Sequence, residues 1–508
     1  MIIHYEHLTS KLEVARNLDS PVIYDSALLA PNSELKSTEE YENIMEESFK
    51  DSEPTSSSSS IHIKDPEMFK EMVLSEQKLN WIDTVSKMVM GEQDQQTIRE
   101  LKFIASGFGQ GLDLNAFSLG VALILLQRFY DTQPQIFTNN LVIQKEHLDL
   151  PRALYKYTLA SLGLYGLNFF GKGRGLWKEY WRDQANYRSI LDYLSIPESD
   201  LLVFNLDEDK VFRPGFFVCI DRSLSAVILS IRGTMCARDA MTDLICEYVP
   251  YKNGIIHSGF LKSSLWFFEN IGRQLIMFAE EYGLENIYCV GHSLGGAAAS
   301  LTCMHIYDYL SEREEGWPMC TFNPEKRINL HSYCYGSPPT VSQSIVSQYD
   351  DVIDVIINGE DVVPTLSFGS VWDMHLMVSY AASIASASHL FTDIESTPIM
   401  DRLQHCRKQI VGHSNRINPK LFILGRIHHI VSLEAPNNQK YRVVETVGPE
   451  RFQEIKFSSK ALRHHMPDRY EAAMDEAYQT FLKLEREERI KLADDAMKQK
   501  PSEDEVKL

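Results

Sequence analysis

Between residues 286 and 300 the chain reads Asn-Ile-Tyr-Cys-Val-Gly-His-Ser-Leu-Gly-Gly-Ala-Ala-Ala-Ser, a short apolar run followed by Gly-x-Ser-x-Gly and then by small residues. This stretch narrows the possible folds more than any other. A serine in such a setting sits on a sharp strand-to-helix turn, where its backbone is strained and the flanking glycines must lack a Cβ to avoid clashing. The turn lifts the Ser293 hydroxyl clear of the sheet edge. Gly-x-Ser-x-Gly alone is weak, since a chain of this length meets it by chance about once in ten. The surroundings strengthen it. Residues 287–290 are apolar and β-prone, and Gly295-Gly296-Ala-Ala-Ala299 lets the next helix press close to the sheet. Ser293 is therefore a candidate nucleophile.

The pattern after about Leu201 agrees with such a turn. Residues 216–220 and 226–231 read as neighbouring strands across a short turn. Leu261, Leu265, Phe268, Ile271, Leu275 and Phe278 recur at three- and four-residue steps, which defines an amphipathic helix feeding the strand before Ser293. Strands at 331–335 and 352–357 follow. The alternation predicts an α/β protein with a mostly parallel central sheet covered on both faces, the α/β-hydrolase arrangement, with a helical N-terminal extension.

The domain expectations follow from these patterns. Residues 1–65 are an acidic, serine-rich arm with too few large apolar groups to offset ordering entropy, and are expected to be disordered. Residues 66–195 read as helical, packing on or capping the catalytic domain. Their apolar segments, 114–126 and 154–170, can serve as core or touch lipid, core being the default for apolar helical stripes. The catalytic domain takes 196–480, with an irregular insertion at about 380–421. Residues 481–508 form a charged helix and tail.

A net charge of −20 with no basic block argues against nucleic-acid binding and against strong attraction to anionic lipid. Membrane contact is then expected to be apolar. The eight cysteines include no C-x-x-C pair or other metal-like spacing, so neither a metal nor a cofactor is expected. The N-terminus shows no basic n-region or continuous apolar h-region, and the longest apolar stretch, 116–126, is too short to span a bilayer. A cytoplasmic protein, partly peripheral on membranes, is expected.

A serine hydroxyl is a poor nucleophile unless a histidine takes its proton and a carboxylate orients that histidine. In α/β-hydrolases the chain order is Ser, Asp, His. Downstream of Ser293, Asp361 or Glu360 follows an apolar strand at its loop end, where catalytic groups belong. The sixteen histidines include the pairs His428-His429 and His464-His465. The second pair heads a helix start late in the chain, where the third member should lie. Adjacent histidines on a strand face opposite ways, so His428-His429 reads as one buried and one exposed side chain. For the oxyanion, Thr234 ends a buried strand and its amide and hydroxyl can join the Leu294 amide.

Taken together, Ile231-Arg-Gly-Thr234, Thr242-Asp-Leu244, Ile256-His-Ser-Gly-Phe260, Gly291-His-Ser-Leu-Gly295, Tyr335-Gly-Ser-Pro338 and Asp361-Val-Val-Pro364 resemble the class 3 (fungal-type) lipases. Asp361-Val-Val-Pro-Thr-Leu-Ser-Phe-Gly-Ser370, Gly425-Arg-Ile427 and His464-His-Met-Pro-Asp-Arg-Tyr470 narrow the likeness to the sn-1-specific diacylglycerol lipase branch, over about 158–477. The resemblance implies Ser293 as nucleophile, Asp361 as carboxylate, His465 as base, Thr234 and Leu294 as the oxyanion hole, and a lid near 236–246. Animal members of that branch carry a transmembrane bundle that this sequence does not show, and His464 stands where the family often has Asp.

The implied activity is hydrolysis of an acyl ester of a neutral glycerolipid, foremost diacylglycerol, at a membrane or lipid-droplet surface. A phospholipase A1 or triacylglycerol lipase is the rival of the same chemistry, and a non-catalytic lipase-fold scaffold the rival of another class. Of the late histidine pair, His465→Ala is expected to inactivate, and His464→Ala to be tolerated within about tenfold.

Overall fold

A computed structural model describes residues 116–133, 146–163, 166–167, 182–206, 213–233, 248–313, 316–387, 397–417, 419–434, 440–458 and 460–498. The expected arm at 1–65, residues 66–115, Thr234, residues 236–246 near the expected lid and the tail 499–508 lie outside these residues.

The first helices are α1 (Ala116–Asp131), α2 (Glu146–Ala160) and α3 (Arg182–Leu194). Eight strands then form one sheet: β1 (Leu201–Asn205), β2 (Phe216–Asp221), β3 (Ala226–Ile231), β4 (Asn286–His292), β5 (Asn329–Tyr335), β6 (Ile353–Asn358), β7 (Arg426–Glu434) and β8 (Lys440–Val447). Their order across the sheet is their order along the chain. The strands β3 to β7 are parallel. Antiparallel β1 and β2 close one edge and antiparallel β8 the other. The sheet is thus mostly parallel, as the alternating pattern requires.

The period-2 alternation of the strands separates two cores. Val227, Leu229, Ile231, Ile287, Cys289, Val355 and Ile357 face one core. It is covered by α4 (Ser258–Phe267), α5 (Arg273–Glu281), α6 (Leu294–Glu312), α7 (Phe368–Ala387) and α8 (Thr397–Ile417), together with α1. The helical periodicity across 261–278 is interrupted by one π-helical turn, Phe268–Gly272, between α4 and α5. Ala226, Ile228, Tyr288, Val290, Tyr333, Tyr335 and Ile356 face the other core, which α2, α3 and α9 (Pro467–Lys498) cover. Helices from both ends of the chain therefore meet on this second face.

The core default for 154–170 holds over its described part, and two other expectations are corrected. Leu154, Tyr155, Tyr157, Leu159 and Ala160 are at most 1% exposed, because α2 is what keeps water from the second sheet face. The described part of 154–170 is core and offers nothing to lipid. The segment at 380–421 is a pair of packed helices, α7 and α8, and α7 begins at Phe368, ahead of the expected insertion. The C-terminal helix does not start at 481 either. It runs unbroken from Pro467, so its first turns belong to the core through Tyr470, Ala473, Met474 and Ala477.

Among the described residues no helix is long and apolar enough to cross a membrane, and no group of three or more histidine, cysteine, aspartate or glutamate side chains is arranged to hold a metal ion. Cys219, Cys289, Cys303, Cys320, Cys334 and Cys406 are free thiols.

Candidate active site

Ser293 lies at the junction of β4 and α6 with φ 58° and ψ −129°. A backbone in this region costs a non-glycine residue on the order of 1–3 kcal/mol, so the surroundings must hold it. They do so at both ends of the residue. The Ser293 amide donates to the Tyr335 carbonyl at 2.8 Å, and its own carbonyl accepts from the Gly296 amide at 2.9 Å. The two motif glycines are explained by close approach: a Cβ on Gly291 would lie 2.3 Å from the Gly295 carbonyl carbon, and one on Gly295 would lie 2.3 Å from the Ile231 oxygen. Any side chain at either place would push α6 away from the sheet.

Asp361 follows the end of β6, two strands away from β4. One of its oxygens, Oδ1, accepts the Val363 amide at 2.9 Å. The other, Oδ2, lies 2.9 Å from His465 Nδ1. His465 Nε2 lies 2.9 Å from Ser293 Oγ. With Nδ1–H donating to the carboxylate, Nε2 is left as the acceptor for the serine proton, which is the tautomer a general base requires. Ser293 and Asp361 are buried and His465 half-buried. Glu360, the other carboxylate candidate, faces away: Ser458 Oγ donates to it and Lys460 Nζ lies 3.6 Å off.

The neighbouring histidines are separated by the fold. His464 turns from Ser293, and its Nδ1 accepts the Glu360 amide at 2.9 Å. His428 and His429 do point to opposite faces, yet both are buried, against the expectation of one exposed. His428 Nε2 is 2.8 Å from Asp354, at the start of β6, and His429 Nε2 donates to the Gly359 carbonyl at 2.7 Å. Burial pushes His429 down to about 4, which keeps it a neutral prop under the Asp361 turn.

Two residues of the site, Tyr470 and His292, have roles that the sequence reading did not assign. Tyr470, fully buried on α9, donates its phenol to Asp361 Oδ2 at 2.6 Å. Burial, and then the Asp361 charge, push its pKa up, so it remains a donor. The His292 ring packs against the His465 ring at 4.6 Å between centroids and against Tyr470 at 5.2 Å. Burial first, and then the neighbouring His465, hold His292 well below the usual histidine range. A neutral imidazole therefore backs the candidate base. The only hint of Tyr470 in the sequence is its place in the His464–Tyr470 stretch.

Of the expected oxyanion donors, Leu294 is the first residue of α6, where helix geometry supplies amides without an intrahelical partner. Thr234 is just beyond the described residues. Its neighbour Gly233 lies against the elbow, close to the His292 carbonyl.

With this geometry in view, similarities to known proteins become informative. The family model for Lipase (class 3) matches residues 228–370. Diacylglycerol lipase-beta of Mus musculus is 28% identical over 207 residues, covering 38% of this chain and 28% of that protein. Diacylglycerol lipase-alpha of Homo sapiens is 26% identical over 189 residues, covering 34% of this chain and 16% of its own length. The chain thus matches well under half the length of these relatives. A solved structure of Rhizomucor miehei lipase with its propeptide aligns over 62% of this chain and 79% of that one, with 16% identity and a TM-score of 0.38. The matched span starts inside β3, contains the Ser293 elbow and passes Asp361, so over these residues the chain is similar to the class 3 lipases, with diacylglycerol lipases among the proteins it resembles.

Proposed function

We propose that the chain is a serine carboxylic-ester hydrolase acting on an acyl ester of a neutral glycerolipid, diacylglycerol foremost, releasing a fatty acid and a monoacylglycerol. The observation that carries this reading is the pair of 2.9 Å contacts linking Asp361, His465 and Ser293 on the elbow. In the proposed reaction His465 Nε2 takes the Ser293 proton as Oγ attacks the ester carbonyl, and Asp361 stabilises the imidazolium that forms. The Leu294 amide, with Thr234 as the resemblance implies, holds the tetrahedral oxyanion. His465 then protonates the leaving glyceride oxygen. Water, deprotonated by the same imidazole, releases the fatty acid from Ser293.

Such a substrate resides in a lipid surface, so the proposal includes peripheral attachment from a cytoplasmic pool. The net charge of −20 leaves apolar groups to make the contact. Exposed Met466, next to His465, and exposed Leu376 on α7 are available for it. Binding through such groups depends weakly on salt.

Product analysis on diacylglycerol, triacylglycerol and phosphatidylcholine in matched mixed micelles tests the substrate. Preferred release of monoacylglycerol from diacylglycerol supports the reading. Preference for triacylglycerol or phosphatidylcholine would replace it with a triacylglycerol lipase or a phospholipase A1, and no labelling of Ser293 by a fluorophosphonate would leave a scaffold.

A further inference from the structure

We propose that His464 is a positioning residue, clamping the turn that carries Asp361 to the turn that carries His465 and so setting the contact between those two side chains. The inference rests on the reading of Ser293, Asp361 and His465 as a hydrolytic set.

The two turns are remote in sequence and are joined at His464 by both side chain and main chain. Nδ1 accepts the Glu360 amide at 2.9 Å, one residue before Asp361. The His464 carbonyl, one residue before His465, accepts from Asn358 Nδ2 at 3.0 Å. The imidazole also lies over Gly359, which takes φ +54°, and a Cβ there would come 2.6 Å from Nδ1. A ring in van der Waals contact with a bare glycine on one side and bonded to the next amide fixes the height of the turn. The bond requires an unprotonated Nδ1. Burial holds the His464 pKa down to about 4, so the acceptor persists at neutral pH. The result is a strut between residues 358–361 and 464–465. It adds to the direct His465–Asp361 bond, the Tyr470 phenol and the Glu360 contacts with Ser458 and Lys460, and of these only the His464 ring fixes the Glu360 amide itself.

A displacement of about 1 Å in a reacting group can cost about 10²-fold in rate. If His464 acts as such a strut, its loss costs more than the roughly tenfold that its orientation away from Ser293 alone implies.

The full chain is assayed for hydrolysis of p-nitrophenyl butyrate and for fluorophosphonate labelling of Ser293, as wild type and as His464→Ala, His464→Asn and His464→Gln, with folding checked by circular dichroism melts. Asn places Oδ1 where histidine has Nδ1, whereas Gln carries its carbonyl one bond farther out. The Ala variant is expected to lose about 10²-fold in kcat with KM within about twofold, Asn to return within about fivefold of wild type, and Gln to stay low. A folded Ala variant within about threefold of wild type, or an Asn variant no better than Gln, would overturn the proposal. If the Ala variant does not fold, the contrast between Asn and Gln decides. A wild type that takes no label and cleaves no ester would instead defeat the hydrolytic reading itself.

Discussion

Tyr470 and His465 bond to the same oxygen of Asp361. The phenol donates to Oδ2 at 2.6 Å, and His465 Nδ1 lies 2.9 Å from it. The carboxylate is thereby held from α9, the helix that begins two residues after His465. Hydrogen bonds to charged groups are worth about 1.5–3 kcal/mol, and part of that is lost from the transition state if the carboxylate swings. Tyr470→Phe should fold and lose roughly tenfold in kcat with KM little changed. Steady-state kinetics on a short-chain ester decides, and full activity in the variant would show that the phenol serves packing only.

Ser293→Ala should abolish esterase activity, a loss on the order of 10⁶-fold, while leaving the melting curve near that of wild type. His465→Ala should fail comparably, because the serine then has no base. Retention of a tenth of wild-type turnover by either, in a clean preparation, would remove the residue from the proposed mechanism.

Acid stability should depend on Asp354. It bridges His331 and His428, with both Nε2 atoms at 2.8 Å, and so ties β5, β6 and β7 together at the end of the sheet away from Ser293. Burial works to raise its pKa, yet the two hydrogen bonds outweigh that and hold it well below the usual carboxylate range. A depressed folded-state pKa contributes stability that is fully present above the unfolded value of about 3.9 and is lost as pH falls through the folded value. Asp354→Asn should therefore lower the urea midpoint at pH 6 and flatten its decline below about pH 4. Parallel acid limbs for wild type and variant would contradict this.

Leu154→Asp should unfold the protein. Its side chain is fully buried against the second face of the sheet, and an unpaired charge there costs several kcal/mol against a total stability on the order of 5–15 kcal/mol. Loss of the cooperative melt is the expected outcome. A folded variant that merely leaves the membrane fraction would mean that α2 packs on lipid.

The elbow was legible because its information is local. Strand, turn and helix occupy consecutive residues, and the glycine requirement at 291 and 295 is a matter of atoms within one turn. The parallel sheet was equally legible, since buried strands alternating with amphipathic helices admit few other arrangements. Choices between neighbours were not. Asp361 and Glu360 are both loop carboxylates after β6, and His464 and His465 are both imidazoles before a helix. Only the resemblance separated them in the sequence. In the structure they are separated by contacts across the fold, with Asp361 and His465 facing Ser293 and Glu360 and His464 facing Ser458 and the Asp361 turn.

The roles of Tyr470 and α2 belonged to the tertiary structure altogether. A tyrosine that meets an aspartate 109 residues away leaves no periodicity or spacing behind it. An apolar helix likewise looks the same whether its partner is a sheet or a lipid tail, because the hydrophobic effect is non-directional. Sequence determined which chemistry this chain can place at the end of β4. Packing decided which of its adjacent, chemically equal side chains reach it, because that depends on which face of a turn meets a distant element.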